Sequence, residues 1–398
     1  MEMGNIARQV VEPLVRLTPD GALEPWLLNG WRMDPDARRV RLFLREGVRW
    51  SNGDAFSAVD VMTNLQRWCD TTVPGNSMAG RCHALIDPET GQLGARAVEI
   101  VDERTVDLRL RLPDVTLMAG LADYPALIVH REFDAAGADI TAAPVGTGPF
   151  RLAAFQPGAR ARVERAETWW GGPVALDAVE WHDLGPSPVV ESQAFEAGVV
   201  HLNMQTPATA IARFDALGLD RHARQTANTV VARMHVAAPP YDDPAVRRAI
   251  QHAVDNEIVL AIGYAGHGLR GENTHVGPMH PDGAAVPAHP TDPSEARRQL
   301  ETLRLTGYPF ELLSVDDDWR RDTADAIGVQ LLDAGFNLQR RLLAPADFWE
   351  NWKRYPFSVT DWGMRPFGVQ TLALAYRSGA AWNETRYSDP IFDAALDT

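Results

Sequence analysis

Between residues 293 and 362 the sequence alternates helical and extended patterns three times, and this alternation constrains the fold more than any other feature. A helix (293–304) is followed by a strand (310–315), a helix (319–334), a strand (336–343), a helix (345–353) and a strand (358–362). Parallel strands need a long crossover and antiparallel ones do not, so the pattern predicts α/β layering around a largely parallel sheet. Asp292-Pro293 opens this region, and Asp243-Pro244 opens an earlier helix with Val246, Ile250 and Val254 in its apolar stripe. In both pairs Asp suits the cap and Pro the first helical position. Gly335 stands where a residue of positive φ would close the 319–334 helix.

The first half reads differently. Arg39–Leu44 alternates, with Val40, Leu42 and Leu44 on one face. Ser57 caps a helix whose third position is Asp60 and whose stripe is Val61, Leu65 and Trp68. Segments 97–101 and 105–112 form a hairpin around Asp102-Glu103-Arg104. Pro144–Phe150 is a Gly/Pro break, followed by strands at 150–155 and 161–165; Trp169–Pro173 is a second break, followed by a strand at 179–184. Gly146 and Gly148 are expected to serve backbone conformations or close packing that a Cβ resists.

Several classes of function are disfavoured. At 398 residues the chain holds two or three domains of roughly 150 each. Its net charge of −15 argues against a nucleic-acid partner, which wants a basic face. No apolar run approaches the roughly 18 residues that a membrane span needs. Gly266–Gly271 matches a dinucleotide fingerprint by letter, but a helix precedes it and a Pro-rich loop follows, so a chance match is expected. His267, His275, His280 and His289 share that loop without metal-ligand spacing and read as solvated. Asp316-Asp317-Asp318 reads as a capping run. No nucleophile elbow, zinc-protease helix or phosphate loop occurs, so no metal or cofactor is expected. Of the 12 Trp, four lie at strand ends or in loops: Trp169, Trp170, Trp362 and Trp382. Gathered at a cleft with Arg, they would make a recognition surface. Cys69 and Cys82 would stay thiols in a cytosolic protein and could join in an exported one.

Specific strings then accumulate. Val11-Glu12-Pro13-Leu14-Val15, Pro19-Asp20-Gly21 and Pro25-Trp26-Leu27 precede Leu44–Trp50 (LREGVRW), Asn52–Phe56 (NGDAF) and Ala58-Val59-Asp60-Val61. Pro144–Phe150 (PVGTGPF), Trp170–Pro173 (WGGP), Phe195–Gly198 (FEAG) and Asp243–Asp255 (DPAVRRAIQHAVD) follow. In this order they resemble the extracytoplasmic solute-binding proteins (family 5) of dipeptide, oligopeptide, opine and nickel ABC importers. The resemblance implies two lobes closing on a ligand, with an extra domain. Lobe one would be 1–24 with 146–238, the extra domain 25–145, and lobe two 239–398. It implies a periplasmic monomer that is not an enzyme, hands a small molecule to a membrane permease and needs no cofactor. Family chains start upstream of the position of Met1 and run past Thr398, so this sequence resembles one cut at both ends. Because the family works outside the cytoplasm, Cys69 and Cys82 are expected to be oxidised to each other.

The resemblance also bears on the ligand. In peptide binders an Asp shortly after a Trp holds the ligand's α-ammonium. The matching segment here, Asp361–Pro366, places Arg365 at that position, which implies an anionic group on a peptide-like or other organic solute. The Arg that dipeptide binders use near Leu313-Ser314 is missing, as is the chelator-holding Arg of nickel binders near Ala126. The expected ligand residues are Trp362, Arg365, Trp382 and Asn383, with Asp123 and Tyr124 opposite. The alternative use of Arg365 is a salt bridge to Asp123 or another carboxylate. Two further readings are the ligand-sensing domain of a transcription regulator and, with no motif in its support, a hydrolase.

Overall fold

The computed structural model describes residues 3–397 except 20, 186 and 288. Asp20 of the quoted motif and the end residues Met1 and Thr398 lie outside the described residues. The chain forms two compact units, Met1–Asp183 with Ala394–Thr398, and Leu184–Asp393.

In the first unit a four-stranded antiparallel sheet runs Leu28–Met33, Arg39–Leu44, Thr105–Arg109, Val98–Asp102 in spatial order. The predicted alternation holds: Val40 pairs with Leu108 and Leu42 with Val106, all buried. On the other face Arg41 grips Asp107 with two hydrogen bonds of 2.6 and 2.7 Å. The helix Ala58–Trp68 buries its predicted stripe Val61, Leu65 and Trp68. Its capping box is formed, with the Ser57 N–H donating to Asp60 Oδ2 at 2.9 Å. Asp60 has a second role that the sequence hides: it is fully buried and also receives the Arg131 guanidinium at 3.2 Å.

Phe150–Gln156, Arg160–Arg165 and Ala178–His182 form an antiparallel three-stranded sheet. The Pro144–Phe150 segment leads into it by lying on residues 9 and 10. The Gly148 N–H donates to the Val10 carbonyl (2.9 Å) and the Phe150 N–H to the Gln9 carbonyl (3.1 Å), while the Gly146 carbonyl accepts from the Ser51 N–H (2.9 Å). A Cβ on Gly148 would lie 2.5 Å from the Gln9 oxygen, and one on Gly146 would overlap the Val10 oxygen. Close approach of backbone, and not positive φ, explains these two glycines.

Trp169 and Trp170 pack with Trp26 at centroid distances of 6.1 and 5.0 Å. The indole N–H groups of Trp26 and Trp170 each donate to the buried Glu12 carboxylate at 2.8 Å. Arg16 covers Trp26 and Arg45 covers Trp170, at 3.5 and 4.6 Å from the ring centroids. Stacking of Arg on Trp, expected at a ligand surface, here closes over a buried carboxylate.

The expected cross-link between Cys69 and Cys82 is not formed; both are free, fully buried thiols in one core. A hydrogen bond with Cys69, followed by burial, pushes the Cys82 thiol well above its ordinary value. The pair is isolated in sequence, and the fold brings the two thiols together in one core. Thiol titration without reductant is expected to find no reaction in native protein and both thiols after denaturation, because both are fully buried and out of reach of the reagent. Finding none after denaturation would mean that the bond forms.

The second unit carries the α/β region. Its sheet order is Thr229–Met234, Phe357–Trp362, Phe310–Val315, Leu338–Leu343. The last three strands are parallel and the first is antiparallel. The boundary expected at 238/239 would place Thr229–Met234 in lobe one, whereas it pairs as an edge strand along the whole of Phe357–Trp362. Its mixed exposure gave the sequence no clear strand signal. Phe310–Val315 is buried on both faces, as a central parallel strand should be. One face packs under Pro244–Ala253, Pro293–Thr302 and Asp318–Asp333 through Val246, Ile250, Leu300, Ile327 and Leu331. The other is covered by Phe348 and by a cluster of Trp362, Leu374, Ala375 and Trp382. Gly335, with φ of 97°, follows the Asp318–Asp333 helix as predicted.

Candidate functional site

The parallel strands end together at Val315, Leu343 and Trp362, and ligands of α/β sheets bind beyond such carboxyl ends. Period-two alternation sends Phe357 and Val359 to the helix-covered core and Ser358, Thr360 and Trp362 to the opposite face. Trp362 is 5% exposed, and its indole N–H donates to Glu384 Oε1 at 2.8 Å. The Thr360 hydroxyl donates to the same oxygen at 2.8 Å, and Arg233 Nε donates to Glu384 Oε2 at 2.8 Å. Arg233 also donates to the carbonyls of Tyr355, Glu384 and Trp352. Burial pushes the Glu384 carboxyl up, against the pull of Arg233, Trp362 and Thr360.

Trp382, half-buried, meets Trp362 edge-on at a centroid distance of 6.1 Å. The Asn383 amide donates to the carbonyls of Tyr376 (3.3 Å), Arg377 (3.1 Å) and Tyr387 (2.7 Å), so it ties this loop together. Arg365 is buried at the turn after the strand, where its Nη1 donates to the carbonyls of Gly363 (2.7 Å) and Met364 (3.2 Å). The structure therefore gathers Trp362, Trp382 and Asn383 at one strand end, with Arg365 three residues further on. Asp123 and Tyr124 belong to the first unit. There the buried Asp123 carboxylate takes the Arg81 Nε–H at 2.6 Å and the Tyr124 N–H at 2.7 Å, while the Tyr124 side is exposed. Asp123 thus already has an arginine partner within its own unit.

Two groups at this end are not among the expected ligand residues. Arg320, in the first turn of Asp318–Asp333, donates twice to Asp361 Oδ1 (2.9 and 2.7 Å) and pairs with Asp317. Its guanidinium lies 4.0 Å from the Trp319 centroid and 5.4 Å from that of Trp349. Asp317 does cap the helix, accepting the Arg320 N–H at 3.1 Å. The run of Asp followed by Trp-Arg was the available signal.

His275 is the second, and it corrects the reading of a solvated loop: His275 and His280 are both buried. His275 sits between the Thr229 hydroxyl (2.6 Å) and the Tyr376 hydroxyl (3.1 Å), with its ring 5.6 Å from those of Trp362 and Tyr376. Burial lowers its pKa to about 4. In the unfolded chain it titrates near 6.5, so the folded state resists a proton that the unfolded state accepts. Stability is therefore lost as pH falls from about 6.5 towards 4. We expect about 2–3 kcal/mol of loss across that window from this group. Denaturant titrations at several pH values should show it in the parent and not in His275→Gln; equal slopes in the two would refute it.

A cavity of about 510 Å³ in the first unit is lined by Met62, Arg67, Asp70, Gln92, Val98 and Asp134, among others, and by none of the candidate residues. Among the described residues no group of three or more His, Cys, Asp or Glu could hold a metal ion, and no helix is long and apolar enough to cross a membrane.

Comparison with known proteins places this geometry. The sequence model described as "Bacterial extracellular solute-binding proteins, family 5 Middle" matches residues 22–384. The glutathione-binding protein GsiB of Pectobacterium atrosepticum is 26% identical over 321 residues, covering 76% of this chain and 57% of that protein. GsiB of Salmonella typhi is 25% identical over 311 residues, with the same coverage. The chain thus spans 57% of the length of these curated relatives. Among solved structures, the binding protein AgaA of A. tumefaciens R10 in complex with agropinic acid superposes with a TM-score of 0.84 at 23% identity, covering 99% of this chain and 80% of that one. At that identity the likeness speaks to the fold: the neighbours are two-lobed periplasmic binding proteins.

Proposed function

The chain belongs to the bacterial extracellular solute-binding proteins, family 5, and from that premise we propose that it is the capture component of an ABC importer, not an enzyme. It takes up a small peptide-like or other organic solute bearing an anionic group. The observation that carries this reading is the family match, which runs from residue 22 to residue 384 and so includes the Trp362 strand end. Support for the ligand class comes from the glutathione- and dipeptide-binding proteins among its relatives. It comes also from Arg365, a guanidinium buried beyond a strand's carboxyl end.

In this reading Trp362 and Trp382 supply apolar surface, Arg365 the cationic contact and Asn383 the loop that carries Trp382. Tyr124, with its exposed ring, keeps the contact role that the resemblance implies, and Asp123, paired with Arg81, accepts the Tyr124 backbone N–H. The protein acts as a periplasmic monomer and delivers its solute to a membrane permease, and the three-part division into two lobes and an extra domain is part of the same reading. Calorimetric titration with reduced glutathione, a set of dipeptides and agropinic acid tests it. At least one should bind, and Arg365→Ala should weaken that binding about tenfold or more, the scale of a lost charged hydrogen bond. Unchanged affinity in Arg365→Ala would remove Arg365 from the contact set.

A further inference from the structure

We infer that Glu384 is a positioning residue for ligand recognition: it fixes the indole of Trp362 and, through that ring, the edge presented to Trp382. The inference rests on the reading that this strand end receives the solute.

The geometry is specific. Glu384 is 1% exposed, and its Oε1 accepts from two groups on one strand face, the Thr360 hydroxyl and the Trp362 indole, both at 2.8 Å. Its Oε2 takes the Arg233 Nε–H from the neighbouring strand at 2.8 Å. An indole has one donor, and when that donor is committed to a fixed carboxylate the ring loses its freedom to flip about χ2. The remaining ring surface then meets Trp382 edge-on at 65° and lies tilted at 55° against His275. Arg233, 4% exposed, is in turn clamped by the carbonyls of Tyr355, Glu384 and Trp352, so the carboxylate cannot swing away with its partner. Donors from two strands far apart in sequence converge on one oxygen pair, two residues from Trp382. A buried pair used only for stability would not need to bond the aromatic residue at the strand's ligand-facing end. A site held within a fraction of an ångström needs this kind of supporting contact.

The test has a ligand-free arm and a binding arm. Nitrogen-15 labelling of the tryptophan indoles gives one resonance per ring, and Trp362→Phe identifies that of Trp362 by its loss. In Glu384→Gln the Trp362 resonance should shift and exchange faster with solvent, while those of Trp26, Trp169 and Trp170 stay in place. If Glu384→Gln does not fold, Thr360→Val, which leaves the charge pair intact, should still move the Trp362 resonance. In the binding arm reduced glutathione and the dipeptide set are the probes. Glu384→Gln should lower affinity at least tenfold, and Glu384→Gln in a Trp362→Phe background should lower it no further. An unmoved Trp362 resonance in the folded variant, or independent losses in the double variant, would overturn the inference. If the parent binds none of the probes, it is the reading of function that fails, and the indole resonance alone decides the positioning.

Discussion

Gly146→Val should leave little folded protein. The Gly146 position lies against the backbone of Val10, where a Cβ would overlap the carbonyl oxygen, and a valine adds two more carbons to that Cβ. A flexible side chain could turn away, but a carbonyl in use as an acceptor cannot: the Val10 oxygen already receives the Gly148 N–H at 2.9 Å. Relief therefore requires separating the 146–150 segment from residues 9 and 10, with loss of the Gly148 and Phe150 hydrogen bonds and of the Ser51 bond to the Gly146 carbonyl. Overpacking against an unyielding neighbour falls at the upper end of its usual range, so we expect a loss of about 3 kcal/mol or more. Gly148→Val should act in the same direction, since its Cβ would lie 2.5 and 2.8 Å from the Gln9 and Val10 oxygens. Soluble yield and denaturant midpoints measure both effects. A Gly146→Val protein with parental stability would show that the strand of backbone contacts is not needed. A folded Gly148→Val protein with altered ligand preference would move the segment into the site.

Arg233→Met should be the other severe change. It removes the partner of a carboxylate that is 1% exposed, and breaking a buried pair on one side costs about 3–5 kcal/mol because the remaining charge is left uncompensated. The pH dependence follows from the raised pKa of Glu384, which burial sets and Arg233 opposes. Without Arg233 the folded-state value rises further above that of the unfolded chain. Below about pH 4 the group is protonated in both states and the deficit is smallest. As pH rises from there through the folded-state value, the unfolded chain ionises first and the folded variant loses stability, reaching its full deficit once the folded group is ionised. Denaturant titration of parent and variant from pH 4 to 8 should show a gap that widens with pH. A gap that is constant or narrows would mean that the Arg233 contribution is packing of its stem and not its charge.

Much of the fold was legible because local chemistry and long-range packing agree. Arg39–Leu44 alternates because one face is core. Asp243-Pro244 and Asp292-Pro293 open helices because cap and ring constraints act within a few residues. Gly335 ends a helix because only positive φ fits there. The Thr229–Met234 strand was missed because an edge strand with mixed exposure has no period to detect. The site was legible only in outline. That Trp362 ends a strand could be read; that its N–H is committed to Glu384, 22 residues away, could not. Asp123 and Arg81 are 42 residues apart, and nothing in either neighbourhood announces their pairing. Buried histidines looked solvated because Gly and Pro around them suggest a loop, and a loop can still be covered, as His275 is by Trp362 and Tyr376. Partner choice among polar side chains depends on tertiary contacts, and these leave no periodic trace.

Native mass spectrometry of the gently purified protein, followed by addition of reduced glutathione, dipeptides and agropinic acid, tests the central claim most directly. Capture of a small organic solute predicts a single-ligand adduct, either co-purified or formed with one of the added compounds, whose survival under activation is reduced in Arg365→Ala. A protein that stays bare throughout, or binds every compound equally with no change in Arg365→Ala, would contradict a dedicated solute-binding site.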